Sequence, residues 1–373
     1  GFCEPMCPSN AITFTPRHRI VVNREISRLE SEGEIIEAQK LKEDYVYDGL
    51  ETCATCSLCS TSCPVGIDTG ALTKYLRHER ITPTQDKMAS LIANNFSKTL
   101  GGMRIGLKSA NFVHNLIGTS IMSGVTGGFR NIIGTPKWSA TLPSGTKINK
   151  KFANKASDKK VVYFPSCISR TMGQSSFSQE EETLYDTTVE VLQKAGYEIL
   201  LPGKLEDLCC GMPFSSKGFK KQAEQKSTEL EKALLEVSNN GEYAILCDTS
   251  PCTKKMLESF ISDIKVYEPI EFCLDKLVDE LEFEKIDEEI TIHTTCSSRK
   301  MGLHEKFIDL AKLCSNEVIV PSDVKCCGFA GDRGFSFPEL NKSALSNLKE
   351  QTKNAKLAFS TSKTCEIGLS EEA

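Results

Sequence analysis

At 373 residues the chain is long enough for two or three domains, each burying a core of its own. Its net charge of -5 and pI near 5.8 exclude nucleic acid as the main partner. No uninterrupted apolar run approaches the roughly 20 residues of a membrane-spanning helix. The 17 cysteines stand in tight clusters, unlike a spread disulfide framework, and no export signal is visible; this predicts metal sites in a reducing cytoplasm.

In chain order, residues 1–100 read as helices and loops around cysteines. The opening GFCEPMCPSN holds Cys3-x3-Cys7-Pro8, charged helix formers fill Glu25 to Tyr45, and ETCATCSLCSTSCPVGIDTG carries Cys53-x2-Cys56-x2-Cys59-x3-Cys63-Pro64. Residues 101–156 form a helical connector and linker. In its first part Met103, Leu107, Val113, Leu116 and Ile117 share space with Arg104, Lys108 and Arg130. Such an amphipathic, basic stretch suits packing across two domains, with contact at a membrane surface the other reading. From Thr135 to Lys160, two prolines and, after position 146, six lysines without periodicity predict a solvated linker.

From Lys160 the texture becomes alternating strands and helices: KKVVYF, a helix opened by the capping box Ser178-x-x-Glu181 and closed by Gly196, YEILLP, Cys209-Cys210-Gly211, a long helix to about Val237, then YAILC. This β-α-β-α-β order predicts a parallel sheet with right-handed crossovers. The order returns as ITIHTT, a helix from about Leu303, EVIVP, Cys326-Cys327-Gly328, a helix from Pro338, and KLAFS. PSCISRTMG aligns with TTCSSRKMG, LCCGMPF with KCCGFAG, and CDTSPC with STSKTC. Cys167 thus pairs with Cys296, Cys209-Cys210 with Cys326-Cys327, and Cys252 with Cys365. The expected architecture is α+β and multi-domain: a helical ferredoxin-like unit over 1–100, the connector, and two repeated α/β Cys-Cys-Gly domains over 157–282 and 283–373.

The intact four-cysteine run is the strong chemical signal. Two residues between thiolates let a short loop wrap one face of an iron–sulfur cubane, and the cysteine before Pro64 reaches a neighbouring cluster. On that crossed pattern Cys53, Cys56 and Cys59 with Cys7 hold one [4Fe-4S] cluster, and Cys63 with Cys3 supplies half the ligands of a second. The other half is expected upstream of Gly1, since Cys3-x3-Cys7-Pro8 is the back half of the same run. Adjacent cysteines serve a single tetrahedral ion poorly but can bind different irons of a larger cluster, with Gly211 and Gly328 permitting the turn that follows. Each copy sets its cysteines after strand ends, where α/β sheets place ligands. Cys247 is a substitute fifth ligand in the first copy, whereas Ser360 stands at its counterpart. Cys273 and Cys314 are small hydrophobes on helical faces. Zinc in a Cys-Cys-Gly domain is the alternative metal. The five histidines share no metal-like spacing, although His293 ends a strand just before Cys296. No dinucleotide fingerprint, P-loop or nucleophile-base pair is visible.

The order GFCEP-x-CPS, TPRHRI, the four-cysteine run and two Cys-Cys-Gly domains resembles the C-terminal iron–sulfur half of FAD-linked D-lactate dehydrogenases of the quinone- or cytochrome-linked type. The resemblance covers essentially the whole chain. It implies FAD on an upstream flavin domain or flavoprotein subunit that oxidises a D-2-hydroxy acid, electron transfer through this chain to a quinone or cytochrome, and a cytoplasmic or peripheral membrane location. The glycolate oxidase iron–sulfur subunit, the anaerobic glycerol-3-phosphate dehydrogenase small subunit and heterodisulfide reductase share the same parts and stand as alternatives. In heterodisulfide reductase the motif closes with C-x2-C; here Thr249 and Ser362 occupy the first of those positions, which speaks against disulfide cleavage. A zinc-stabilised interaction module, and a Cys-Cys-Gly site that turns over a small molecule directly, are the rivals from other classes.

Overall fold

The computed structural model describes residues 1–133, 138–175 and 182–373. The N-terminal region is helical: α1 (Pro16–Ser31), α2 (Ile35–Tyr45), α3 (Leu58–Thr61), α4 (Thr69–Glu79), α5 (Pro83–Asn94) and α6 (Phe96–Ile133). Its helix starts are set locally. Thr15 accepts from the His18 N–H while His18 Nδ1 accepts from the Thr15 N–H, Thr82 and Gln85 repeat the exchange, and both helices open on a proline. Asp68 caps α4 by accepting from the Gly70 and Ala71 N–H groups.

Helix α6 breaks at Gly118, whose φ of 77° leaves the helical region. Its first half packs as expected through Leu100, Leu107 and Arg104, whose Nε donates to Arg170 O at 3.0 Å. Ile105, Phe112 and Leu116 instead face outward. The solvated linker is corrected over 138–148. Ile148 is buried, Thr141 Oγ1 donates to Ile367 O at 3.3 Å, and Gly145 bridges Met172. Leu142 and Ile148 supply the apolar anchors that the lysine-rich composition hides. Residues 135–137 lie outside the described residues.

The first α/β unit runs β1 (Lys160–Phe164), α7 (Leu184–Lys194), β2 (Glu198–Leu200), α8 (Met212–Ser215), α9 (Lys220–Val237), β3 (Ala244–Cys247), α10 (Ser250–Ser259), β4 (Val266–Tyr267) and α11 (Pro269–Phe272). All strand pairs are parallel, in the order β2-β1-β3-β4. Val161 to Phe164 are fully buried, consistent with a strand covered on both faces. The expected capping box at Ser178 and Glu181 lies outside the described residues; α7 is capped by Thr183, which accepts from the Asp186 N–H. Strand β4 was not expected, because two residues carry no readable period.

The second unit runs β5 (Ile290–His293), α12 (Cys296–Lys300), α13 (His304–Cys314), β6 (Val318–Ile319), α14 (Arg333–Ser336), α15 (Pro338–Ala344), α16 (Leu348–Gln351), β7 (Leu357–Ser360) and α17 (Lys363–Glu372). Its three strands are parallel in the order β6-β5-β7. The units meet through buried hydroxyls. Ser250 N donates to Thr361 O at 3.0 Å, and Ser250 Oγ lies 2.8 Å from both Thr295 Oγ1 and Thr361 Oγ1.

Candidate metal centres

The thiols of the N-terminal region are organised by two buried arginines that spacing alone does not reveal. Arg19, from α1, is 1% exposed; its Nε donates to Gly49 O at 2.8 Å, Nη2 to Ser9 Oγ at 2.9 Å and Nη1 to Cys7 Sγ at 3.5 Å. Arg77, from α4, donates through Nη2 to Leu50 O and Cys53 O at 2.6 and 2.8 Å, and through Nη1 to Ser216 O at 2.6 Å. Burial opposes ionisation of Cys53, yet the Arg19 and Arg77 guanidiniums, with hydrogen bonds from Thr73 and the Thr55 N–H, hold its thiol below the ordinary value. The thiolate is the metal-binding form, so this environment favours ligation. At Cys7, burial prevails over Arg19 and Ser9 and raises the pKa. Cys59 Sγ sits 3.1 Å from Thr69 Oγ1, and burial raises its pKa.

The loop carrying these residues is bent by two non-glycine residues in the left-handed region, Thr55 (φ 47°) and Ser57 (φ 59°). Such strain persists where the surroundings over-determine the backbone. Between them Cys56 packs against the apolar cluster that contains Cys326 of the second α/β unit. Docking of the loop is reinforced by Arg333, whose Nη1 donates to Glu51 O and Oε2 at 2.6 and 2.7 Å, and by Tyr47, whose hydroxyl donates to Glu339 Oε1 at 2.7 Å. Cys63 is half-buried, and the N–H groups of Ile67 and Val65 lower its pKa. Cys3 is half-buried.

Each α/β unit gathers its own thiols. In the first, contacts run from Cys167 to Cys209, to Cys210, to Cys252 and to Cys247. In the second they run from Cys296 to Cys326, to Cys327 and to Cys365. The repeat alignment therefore describes real neighbourhoods, and Cys247 joins the first. Gly211 and Gly328 have φ of 85° and 73°. A Cβ on Gly211 would strike Ala223 O, and one on Gly328 would come within 2.6 Å of Leu340 O, so the turn after each cysteine pair requires glycine. In the first series Cys210 is driven toward the thiolate by Cys209 and Cys252; in the second, Cys327 is driven the same way by Cys326 and Cys365, and Cys296 by Cys326.

An arginine anchors the first of these loops. Arg170 is fully buried and donates through Nη1 to Leu205 O and through Nη2 to Leu208 O, just ahead of Cys209; Arg299, its counterpart, donates to Thr294 O at 3.2 Å. Ser166 and Ser169 pair their hydroxyls at 3.0 Å, and Thr295 and Ser298 do the same. Cys273 is packed against the first core, and burial raises its pKa to about 12, in keeping with a structural role; Cys314 is likewise raised by burial.

The donor sets suit a polynuclear group better than a single ion. Among the described residues no three His, Cys, Asp or Glu side chains are disposed around one metal ion. The thiols instead adjoin in series, and adjacent cysteines can address different metals of a cluster.

Residues 1–67 match a 4Fe-4S dicluster domain, and a cysteine-rich domain is matched twice, over residues 161–256 and 290–370. None of the curated proteins matches the chain. The protein thus has a helical ferredoxin-like N-terminal region followed by two cysteine-rich domains, each with a small parallel sheet. Both matched domain types point to iron–sulfur electron transfer.

Proposed function

We propose that this chain is the iron–sulfur electron-transfer portion of an FAD-linked D-2-hydroxy acid dehydrogenase, with D-lactate the first candidate substrate and a quinone or cytochrome the acceptor. The observation that carries the reading is the packing of Cys56, within the intact four-cysteine run, against the cluster that contains Cys326 of the second cysteine-rich site. It supports a continuous thiol-lined route between two sites of the same chemistry. Cys7, Cys53, Cys56 and Cys59 are the proposed ligands of one [4Fe-4S] cluster; Cys3 and Cys63 belong to a second dicluster site. The remaining proposed ligands are Cys167, Cys209, Cys210, Cys247 and Cys252 in one unit and Cys296, Cys326, Cys327 and Cys365 in the other. A bound cluster supplies single-electron transfer. The chain's own residues shield it from water, favour the Cys53 thiolate through Arg19 and Arg77, and donate hydrogen bonds to sulfur from Thr55 and Gly211.

A flavoprotein partner follows from the resemblance to the dehydrogenases. On α6 the outward Ile105, Phe112 and Leu116 lie near exposed Lys98 and Lys108, and residues 96–133 contain no acidic residue. This charge favours an anionic lipid surface as the peripheral docking site. Among the described residues no helix is long and apolar enough to cross a membrane. Sedimentation of the protein with phosphatidylglycerol vesicles, absent with phosphatidylcholine alone, is the expected result; equal behaviour with both removes the proposal.

The principal test is anaerobic purification, quantification of iron, sulfide and zinc, and EPR after reduction. Iron and sulfide in comparable amounts with reduced-cluster signals are expected; zinc without iron makes the chain an interaction module. Reduction of the clusters in the native, tagged complex by D-lactate, and not by glycolate or glycerol 3-phosphate, supports the substrate reading. The reverse preference moves the chain to the separate-subunit alternatives.

A further inference from the structure

The two cysteine-rich sites differ at one pair of facing residues. In the ladder of β1 and β3, Phe164 stands opposite Cys247; in the matching ladder of β5 and β7, His293 stands opposite Ser360. The first site thereby gains a fifth thiol, since Cys247 reaches Cys252. The second site cannot gain one from Ser360, whose hydroxyl instead lies 3.2 Å from His293 Nδ1.

His293 is 4% exposed, and its Nε2 is buried with no hydrogen-bond partner among the described residues. The imidazole lies close enough to the Cys327 thiol for each to feel the other's charge. A buried nitrogen left without a hydrogen bond forfeits its hydration with nothing in return, so it calls for a partner. Packing does not explain it, because phenylalanine fills the matched position in the first copy.

We propose that His293 Nε2 is a nitrogen ligand of the metal group held by Cys296, Cys326, Cys327 and Cys365, taking the place that Cys247 has in the first site. The proposal rests on the reading of that site as iron–sulfur. With Nδ1 protonated and donating to Ser360 Oγ, the Nε2 lone pair is left free, which is how metal-bound imidazoles are commonly oriented by a second hydrogen bond. Exchanging an anionic thiolate for a neutral imidazole removes one negative charge from the ligand set. The oxidised, more positive form of the group is then less well stabilised, and the reduction potential rises, as it does where histidines replace cysteines on iron. The second site, which also adjoins Cys56, is therefore the better electron acceptor of the two.

Pulsed EPR on the anaerobically prepared protein tests this in whichever redox state of the site is paramagnetic, comparing natural-abundance protein with protein carrying ¹⁵N-histidine. A directly bound imidazole nitrogen is expected, shifting with the label and absent in His293→Phe. That variant borrows the first copy's own residue and so spares the packing. His293→Phe/Ser360→Cys rebuilds the first copy's pair and is expected to retain iron, lose the nitrogen coupling and lower the site's midpoint potential. Iron and sulfide present without an imidazole coupling, or a coupling that survives in His293→Phe, overturns this inference alone. Absence of iron and sulfide overturns it together with the proposed function.

Discussion

The two cysteine-rich domains share a plan and diverge where chemistry and neighbours meet. The first has four parallel strands, five adjoining thiols and a buried phenylalanine at the end of β1. The second has three strands, four adjoining thiols and a histidine in that place, and its edge strand β7 leaves Leu357 and Phe359 exposed. Their surroundings differ too. Arg77 ties the N-terminal region to the first domain at Ser216, whereas Cys56, Tyr47 and Arg333 tie it to the second. A repeat fixes the frame, and a few substituted positions give each copy its own donor set and electrical neighbour.

The largest effects should come from removing a central thiol. Cys210→Ala and Cys327→Ala should each abolish the metal of one domain and spare the other, read as iron and sulfide per chain beside the residual EPR signals. Loss from both sites in either variant would mean that the domains do not load independently.

Next come the glycines after the cysteine pairs. Gly211→Ala and Gly328→Ala should each cost about 2–4 kcal/mol in denaturant unfolding, from a left-handed backbone combined with a clash against a carbonyl. A cost below 1 kcal/mol at either position would show that its turn relaxes. Arg77→Ala should destabilise by about 3 kcal/mol, since three carbonyl acceptors lose a charged donor, while Arg333→Ala should cost about 1 kcal/mol at a more open contact. The reverse order would make the second domain the firmer anchor.

A pH dependence of comparable size is expected at the seam between the domains. Glu268, fully buried between the two domains, accepts from the Ile270 N–H and from Ser298 Oγ, and burial pushes its carboxyl up to about 7. The folded state therefore holds this proton more tightly than the unfolded state, where the group titrates near 4.5. Its stability contribution is complete below that pH and is lost as the pH climbs to about 7, by about 2–3 kcal/mol. Glu268→Gln should flatten this decline; an unchanged slope would assign the dependence to other groups.

The repeat, the parallel order and the thiol neighbourhoods were legible because each is written in short stretches: β-branched runs, paired cysteines followed by glycine, and matched nonapeptides. Strand β4 escaped because two residues have no period, and the packed part of the linker escaped because Leu142 and Ile148 are scattered among lysines. Arg19 and Arg77 left no signal, since an arginine in an amphipathic helix looks alike whether it meets water or a buried thiol. Sequence by itself determined which residues carry the chemistry, because spacing and residue type are local properties. Only the tertiary structure decided which of them meet: Cys56 with Cys326, Arg77 with Cys53, His293 with Ser360 and Cys327. Those contacts join residues tens to hundreds of positions apart, and what joins them is the packing of whole elements, which no local pattern encodes.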